Sequence, residues 1–255
     1  MFNLASSQKK RVSKSQPGVL DRSLVFSWDG KYIYYLFPDP AKPWIRILYR
    51  VPAAGDGEIQ KIAHDVNIPP AFSSDGKWLA FVRKDNSLFI APVEGKRERK
   101  IATLPQMPNR IFWTADGQSL FASSPLVAFG RYSGRWKLQK IAADSGKTED
   151  IVTWEGGWAS ASTASPAVGD GVLFFKNTAP ANQPARGQIW HYQLSTRTWT
   201  QLTDHPNGFM SLIGVSSDGT TVAAWSHPTG FWEGMWNVVG LQAPVMPTFE
   251  IVLLQ

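Results

Sequence analysis

An all-β fold of four-stranded antiparallel blades, a β-propeller, is what this sequence predicts, on three observations. A short apolar, Ser/Thr, x, Asp, Gly phrase returns five times, at Phe26-Ser27-Trp28-Asp29-Gly30, Phe72-Ser73-Ser74-Asp75-Gly76, Trp113-Thr114-Ala115-Asp116-Gly117, Ala167-Val168-Gly169-Asp170-Gly171 and Val215-Ser216-Ser217-Asp218-Gly219. The fourth copy departs from it, with Gly169 before the Asp and an apolar Val172 directly after the Gly. From Asp to Asp the steps are 46, 41, 54 and 48 residues, in the window where about 40–50 residues per unit means one propeller blade. Helical periodicity is hard to find, while 21 Gly and 18 Pro punctuate the 255 residues at strand-like intervals, which excludes most α/β enzyme folds.

Each phrase reads as strand, tight turn, strand. Asp-Gly between apolar runs is a strong hairpin signal because the favoured two-residue turns need positive φ, which Asn, Asp and Gly tolerate best. The residues that follow are apolar and aromatic, as in Tyr32-Ile33-Tyr34-Tyr35-Leu36-Phe37, Trp78-Leu79-Ala80-Phe81-Val82 and Val222-Ala223-Ala224-Trp225, as buried or half-buried strands require. Third and fourth strands follow at 47–52 and 59–63, 88–93 and 99–102, 136–141 and 148–152, and 189–194 and 198–203, joined by turn-rich pieces such as Glu94-Gly95-Lys96 and Asp144-Ser145-Gly146-Lys147. The count is five blades, with six, one of them incomplete, as the alternative. One domain spans 1–255, in repeat units of roughly 20–65, 66–104, 105–154, 155–204 and 205–255. Residues 1–14 are candidate closing strands, since 1–4 and 8–12 look like a third strand's end and a fourth strand whose hairpin lies upstream; 235–241 and 249–254 are C-terminal candidates. The chain is accordingly expected either to close on itself or to be a piece of a larger propeller.

Two stretches, Ser73-Ser74-Asp75-Gly76-Lys77-Trp78-Leu79-Ala80-Phe81 and Gln201-Leu202-Thr203-Asp204-His205-Pro206, resemble the propeller of the TolB type, whose blades carry a Ser-Pro-Asp-Gly-Lys-like turn and a later Arg-Leu-Thr-like outer strand. The resemblance covers about residues 1–240. It implies a periplasmic or extracytoplasmic interaction module, a gating domain of a serine peptidase, or a sensor region. Sialidase-type Asp boxes separate Asp from Gly by one residue, whereas all five pairs here are adjacent, and Gly-His and Trp-Asp signatures at blade spacing are missing.

Net charge is +6, from 26 Lys plus Arg against 20 Asp plus Glu, with much of the excess in Lys9-Lys10-Arg11, Lys14 and the 96–100 stretch. These positions suit solvated outer strands guarded by charge against edge pairing, and they do not form the continuous basic stripe that a nucleic-acid partner needs. Cysteine is absent, which excludes disulfides, thiolate metal sites and a Cys nucleophile. The first 18 residues carry no apolar leader segment, no 18-residue apolar window exists, and Pro244, Pro247 and Glu250 interrupt the apolar tail, so no membrane span is expected. The 12 Trp and 14 Phe are read mainly as strand and inter-blade packing.

Binding is expected where loops vary in length, because the repeated turns are under packing constraint. Those loops are 38–44, 124–135, 177–187 and 227–232, with the inter-blade segments 65–70, 155–165 and 204–209 beside them. They hold Trp44, Arg131, Tyr132, Arg135, Trp158, Arg186, His205, His227 and Trp232, aromatic and Arg residues that suit protein or peptide contact. Catalysis is not expected. Gly130-Arg131-Tyr132-Ser133-Gly134 is not a Gly-x-Ser-x-Gly nucleophile turn; Asp39, Asp65, Glu155 and Glu233 are carboxylates off the turns with nothing to pair them; and His64, His191, His205 and His227 fall in different blades. The sequence therefore reads as a non-catalytic, monomeric propeller that binds a protein or peptide without cofactor or metal. The alternatives are a peptidase gating propeller and a channel-centred hydrolase acting on carbohydrate.

Overall fold

The hydroxyl-x-Asp-Gly phrase folds by local hydrogen bonding. Ser27 and Tyr32 close the first hairpin: Ser27 N–H donates to the Tyr32 carbonyl at 2.9 Å, and Gly30 N–H donates to the Ser27 carbonyl at 2.9 Å. The Ser27 hydroxyl donates to Asp29 Oδ1 at 2.7 Å and accepts from Tyr32 N–H at 2.9 Å, and Asp29 Oδ1 also accepts Lys31 N–H at 3.1 Å. The same bonds recur at Ser73-Asp75-Lys77-Trp78 and at Thr114-Asp116-Gln118-Ser119. Residues 28–31 thus make a four-residue loop where a two-residue turn was expected. The hydroxyl and carboxylate take up the N–H groups that a shorter turn would leave to the ladder, and Gly30, Gly76 and Gly117 sit at φ of 68°, 68° and 67°, a region costly to residues with a Cβ.

The computed structural model describes residues 24–55, 57–95, 97–129, 133–156, 164–166, 170–177, 187–205, 208–215, 222–226 and 250–254, and every element among them is a strand. Strands β1 (Val25–Phe26), β2 (Tyr32–Asp39), β3 (Lys42–Pro52) and β4 (Gln60–His64) form a four-stranded sheet in chain order. So do β5 (Ala71–Phe72), β6 (Trp78–Val82), β7 (Ser87–Pro92) and β8 (Arg99–Thr103), and β9 (Arg110–Trp113), β10 (Ser119–Phe129), β11 (Ser133–Ala142) and β12 (Thr148–Gly156). In the fourth set, β13 (Ala164–Pro166), β14 (Gly171–Asn177), β15 (Gly187–Gln193) and β16 (Thr198–Gln201) pair in sequence. Strands β17 (Phe209–Val215), β18 (Val222–Ser226) and β19 (Glu250–Leu254) continue that sheet through a single Gly187–Phe209 pair. These sheets are the blades read from the sequence. The C-terminal candidate at 249–254 is β19, paired with β18 along its length; the candidates at 1–14 and 235–241 lie outside the described residues.

The chain forms two compact units, one from Met1–Ala122 and Lys140–Glu149, the other from Ser123–Gln139 and Asp150–Gln255. In the first, β6 is buried on both faces. Leu79 and Phe81 meet Tyr34, Leu36, Leu48 and Ile62 of the first blade, while Ala80 and Val82 meet Ile111, Trp113, Leu120 and Ile141 on the other side. This explains why 79–82 is an uninterrupted apolar run. Leu79 and Leu88 are 0% exposed, a burial of about 1.5–3 kcal/mol for each side chain.

Polar contacts fix one blade against the next. Val66 N–H donates to the Arg46 carbonyl at 3.0 Å and Asn67 N–H to the Val82 carbonyl at 2.9 Å, so the crossover is held to both sheets. Arg50 and the Tyr34 hydroxyl both donate to the Val93 carbonyl, at 3.0 and 2.9 Å. One blade further on, Arg99 donates to the Asp144 and Ala143 carbonyls at 3.0 and 2.7 Å. The turn after β11 presses against β8 so closely that a Cβ on Gly146, which has φ of 71°, would collide with the Ile101 carbonyl.

Aromatic packing dominates the second unit. Trp136 stacks on Trp154 with centroids 6.5 Å apart, Phe174 meets Trp154 edge-on at 4.7 Å and Trp199 at 4.9 Å, and the Lys176 ammonium lies 4.2 Å from the centroids of both Trp190 and Trp199. In the fourth Asp-Gly phrase the described partners of the aspartate lie on the next strand and just beyond it. Asp170 accepts Ser195 N–H at 3.0 Å and the Gln193 side-chain amide at 3.3 Å, from the end of the adjoining strand β15 and the turn after it.

Ser73 is 2% exposed, so Ser73→Ala leaves Trp78 N–H without its acceptor and is expected to lower unfolding free energy by about 1–2 kcal/mol, measured by urea denaturation. Gly146→Ala is expected to cost more than Ser73→Ala, because it adds a steric conflict with backbone to the left-handed φ; an unchanged midpoint would refute the contact. The turn carboxylates of Asp29, Asp75 and Asp116 are held below the ordinary aspartate value, chiefly by the Ser or Thr hydroxyl and then by a backbone N–H. Their contribution is fully present above that value and is lost as pH falls through the lower folded values. The melting temperature is therefore expected to fall on acidification below about pH 4, and Asp75→Asn to flatten that fall.

Candidate functional site

Antiparallel order gives each blade two ends: one carries the Asp-Gly turn and the turn between third and fourth strands, the other the turn between second and third strands and the crossover to the next blade. At this second end of the first blade the segment 38–44, expected as a loop, is a hairpin with two turn residues, Pro40 and Ala41, between paired Asp39 and Lys42. The turn forms because Asp39 Oδ1 accepts Ala41 N–H at 2.9 Å. That bond is the main reason the Asp39 carboxyl sits below its ordinary value; the His64 ring, 3.4 Å away, contributes less. Trp44 stands on β3, 68% exposed. Arg46 donates to the Asn67 carbonyl at 3.2 Å, so this corner presents a Trp, an Arg and a His/Asp pair on a braced hairpin.

The expected loop 124–135 is likewise mostly strand, since β10 runs to Phe129 and β11 starts at Ser133. Arg135 is an exposed residue of β11. His205 lies in the crossover after β16, where its backbone N–H and carbonyl are held by the buried Gln188 amide at 3.0 and 2.8 Å and Gln188 also accepts the Thr203 hydroxyl. Trp44 belongs to the first compact unit, and Arg135 and His205 to the second. Arg131, Tyr132, Trp158, Arg186, His227 and Trp232 lie outside the described residues, as does Glu233. Among the described residues no three His, Asp or Glu side chains group to hold a metal ion, and no helix is long and apolar enough to cross a membrane.

A second concavity lies at the turn end, between the second and third blades, and sequence reasoning did not single it out. It is an open groove of about 500 Å³ whose lining includes Trp78, Ile90, Arg99, Trp113, Gln118 and Asp144. The contact between the first and second blades is made by larger side chains. Five residues after its turn Asp the first blade has Tyr34, paired with Arg50, and these two fill the gap and reach Val93. At the equivalent positions the second blade has Ala80 paired with Ile90, two much smaller side chains. Aligning the repeats on their Asp-Gly turns would have exposed this difference, since Tyr34 and Ala80 stand at equal offsets.

No family model matches the chain, and no curated protein matches it. Solved structures do. TolB from Acinetobacter baumannii is 14% identical with a TM-score of 0.61, over 88% of this chain and 50% of that one. A TolB-like protein from Agrobacterium tumefaciens is 20% identical with a TM-score of 0.60, over 89% and 79%. The β-propeller domain of the Trilobed protease from Pyrococcus furiosus is 16% identical with a TM-score of 0.52, over 78% and 61%. The chain thus spans about half the length of the A. baumannii TolB. Identities this low speak for architecture, and together with the four-stranded blades and the repeated turns they give the conclusion that by fold this protein is a TolB-like β-propeller.

Proposed function

We propose that this propeller binds a protein or peptide through the blade ends that carry the hairpin tips and crossovers, without catalysis of its own. The observation that carries this reading is the corner of the first blade, where Trp44 is 68% exposed on a hairpin braced by Asp39 and Ala41. Binding energy at protein interfaces concentrates in Trp, Tyr and Arg held on rigid supports, and Trp44 beside Arg46 supplies such a pair. Arg131, Tyr132, Arg135, Trp158, Arg186, His205, His227 and Trp232 extend the same reading along the chain, and a monomer in an extracytoplasmic compartment is the setting it fits.

A second reading follows from the likeness to the Trilobed protease propeller: the chain serves as the substrate-selecting propeller of a peptidase whose catalytic domain is encoded beside it. A Gly-x-Ser-x-Gly segment in the adjoining sequence would favour that role.

The test is quantitative crosslinking and capture from the native host extract, comparing the native chain with Trp44→Ala and with Arg131→Ala/Trp232→Ala. One partner is expected to be enriched by the native chain and reduced at least about tenfold by the variants, at unchanged melting temperature. Equal recovery by all three proteins would remove these residues from the interface.

A further inference from the structure

The groove between the second and third blades is a second, independent site, and its chemistry is specific. Its exposed wall is the Trp78 indole, 42% exposed, and its inner wall is Trp113, 6% exposed. Ile90 also lines the groove, together with Gln118, Asp144 and Arg99, which carry an amide, a carboxylate and a guanidinium.

The main-chain acceptors here are already engaged. Arg99 takes the carbonyls of Ala143 and Asp144, and the Trp113 indole N–H takes the Ala71 carbonyl at 3.2 Å. An extended peptide would therefore find little backbone to pair with. The free groups belong to side chains. Among the described residues the Gln118 side-chain amide makes no hydrogen bond, while the Asp144 carboxylate is bonded by Ser145, whose N–H reaches Oδ1 at 2.6 Å. One cation and one carboxylate nearly cancel, so the groove does not select a charged ligand.

We propose that this groove binds a short neutral oligosaccharide. A pyranose has an apolar C–H face that stacks on an indole and a rim of vicinal hydroxyls that pair with planar amide, carboxylate and guanidinium groups, and Trp78, Gln118, Asp144 and Arg99 supply that set around an apolar floor. A volume of about 500 Å³ falls within the roughly 300–1,000 Å³ of small-ligand clefts. Arg99, already anchored to two carbonyls, costs little further ordering on binding.

The experiment is ligand-observed NMR followed by calorimetric titration of the full chain with cellotetraose, maltotetraose and tri-N-acetylchitotriose, with a proline-rich decapeptide in parallel. At least one sugar is expected to bind, Trp78→Ala to weaken it at least about tenfold, and Gln118→Ala to weaken it less. Trp78→Tyr is expected to keep measurable affinity, because the first blade places Tyr32 at the equivalent position and the aromatic face is retained. Trp44→Ala, at the other end of its blade, is expected to leave sugar affinity unchanged, which separates this site from the protein-binding surface. Absence of binding by all three sugars, sugar binding indifferent to Trp78→Ala, or Trp78-dependent binding of the peptide alone would each overturn the proposal.

Discussion

The hydrogen bond between a Ser or Thr hydroxyl and the turn aspartate is the interaction on which the other features depend. It fixes the length of the loop, and the loop fixes the register of the strands that follow. With the register fixed, Tyr34, Leu36, Leu79 and Phe81 meet across one pair of blades, and a one-residue slip would turn each of them to the opposite face. The hydroxyl satisfies a strand N–H while the carboxylate satisfies another, so six residues resolve their own polar groups without help from the rest of the chain. Inter-blade packing is then free to vary, and it does: the first pair of blades is joined by a tyrosine and an arginine, the second by a different arginine and by Trp113.

That variation carries the functional argument. A repeated scaffold makes its sites by departing from the repeat. Where the first blade has the large Tyr34–Arg50 pair the second has the smaller Ala80–Ile90, and Arg99, reaching from an outer strand, takes over the bridging that Arg50 performs one blade earlier. The hairpin tips depart in another way. Strands β10 and β11 run 11 and 10 residues, against 5 and 6 for β6 and β7, so length is added at the end away from the Asp-Gly turns.

The strands and turns were legible in the sequence because their causes are local. Ser73, Asp75, Gly76 and the alternation after them act within a few residues, and reading them needs no knowledge of partners. The loop size was misjudged because the hydroxyl's second bond, to Trp78 N–H, is invisible in an Asp-Gly dipeptide. The segments 38–44 and 124–135 were read as loops because their length varies from repeat to repeat, yet β2, β3 and β10 extend into them and incorporate Pro38, Pro43 and Pro125. The groove was not legible because it depends on which residues face each other across two blades. Arg99 in particular reads as one more charge in the basic 96–100 stretch until its two carbonyl partners are seen.

The fourth turn has a consequence for the order of events when the chain folds. In the first three blades the aspartate finds its partners two residues away, so those hairpins can close as soon as they exist, on the microsecond scale of a local hairpin. Asp170 instead reaches its backbone partner at Ser195, 25 residues further on, and the entropy of closing that longer loop must be met first. The described bonds of the Asp170 carboxylate therefore form only once β14 and β15 have paired, whereas the first three turns need no strand beyond their own hairpin.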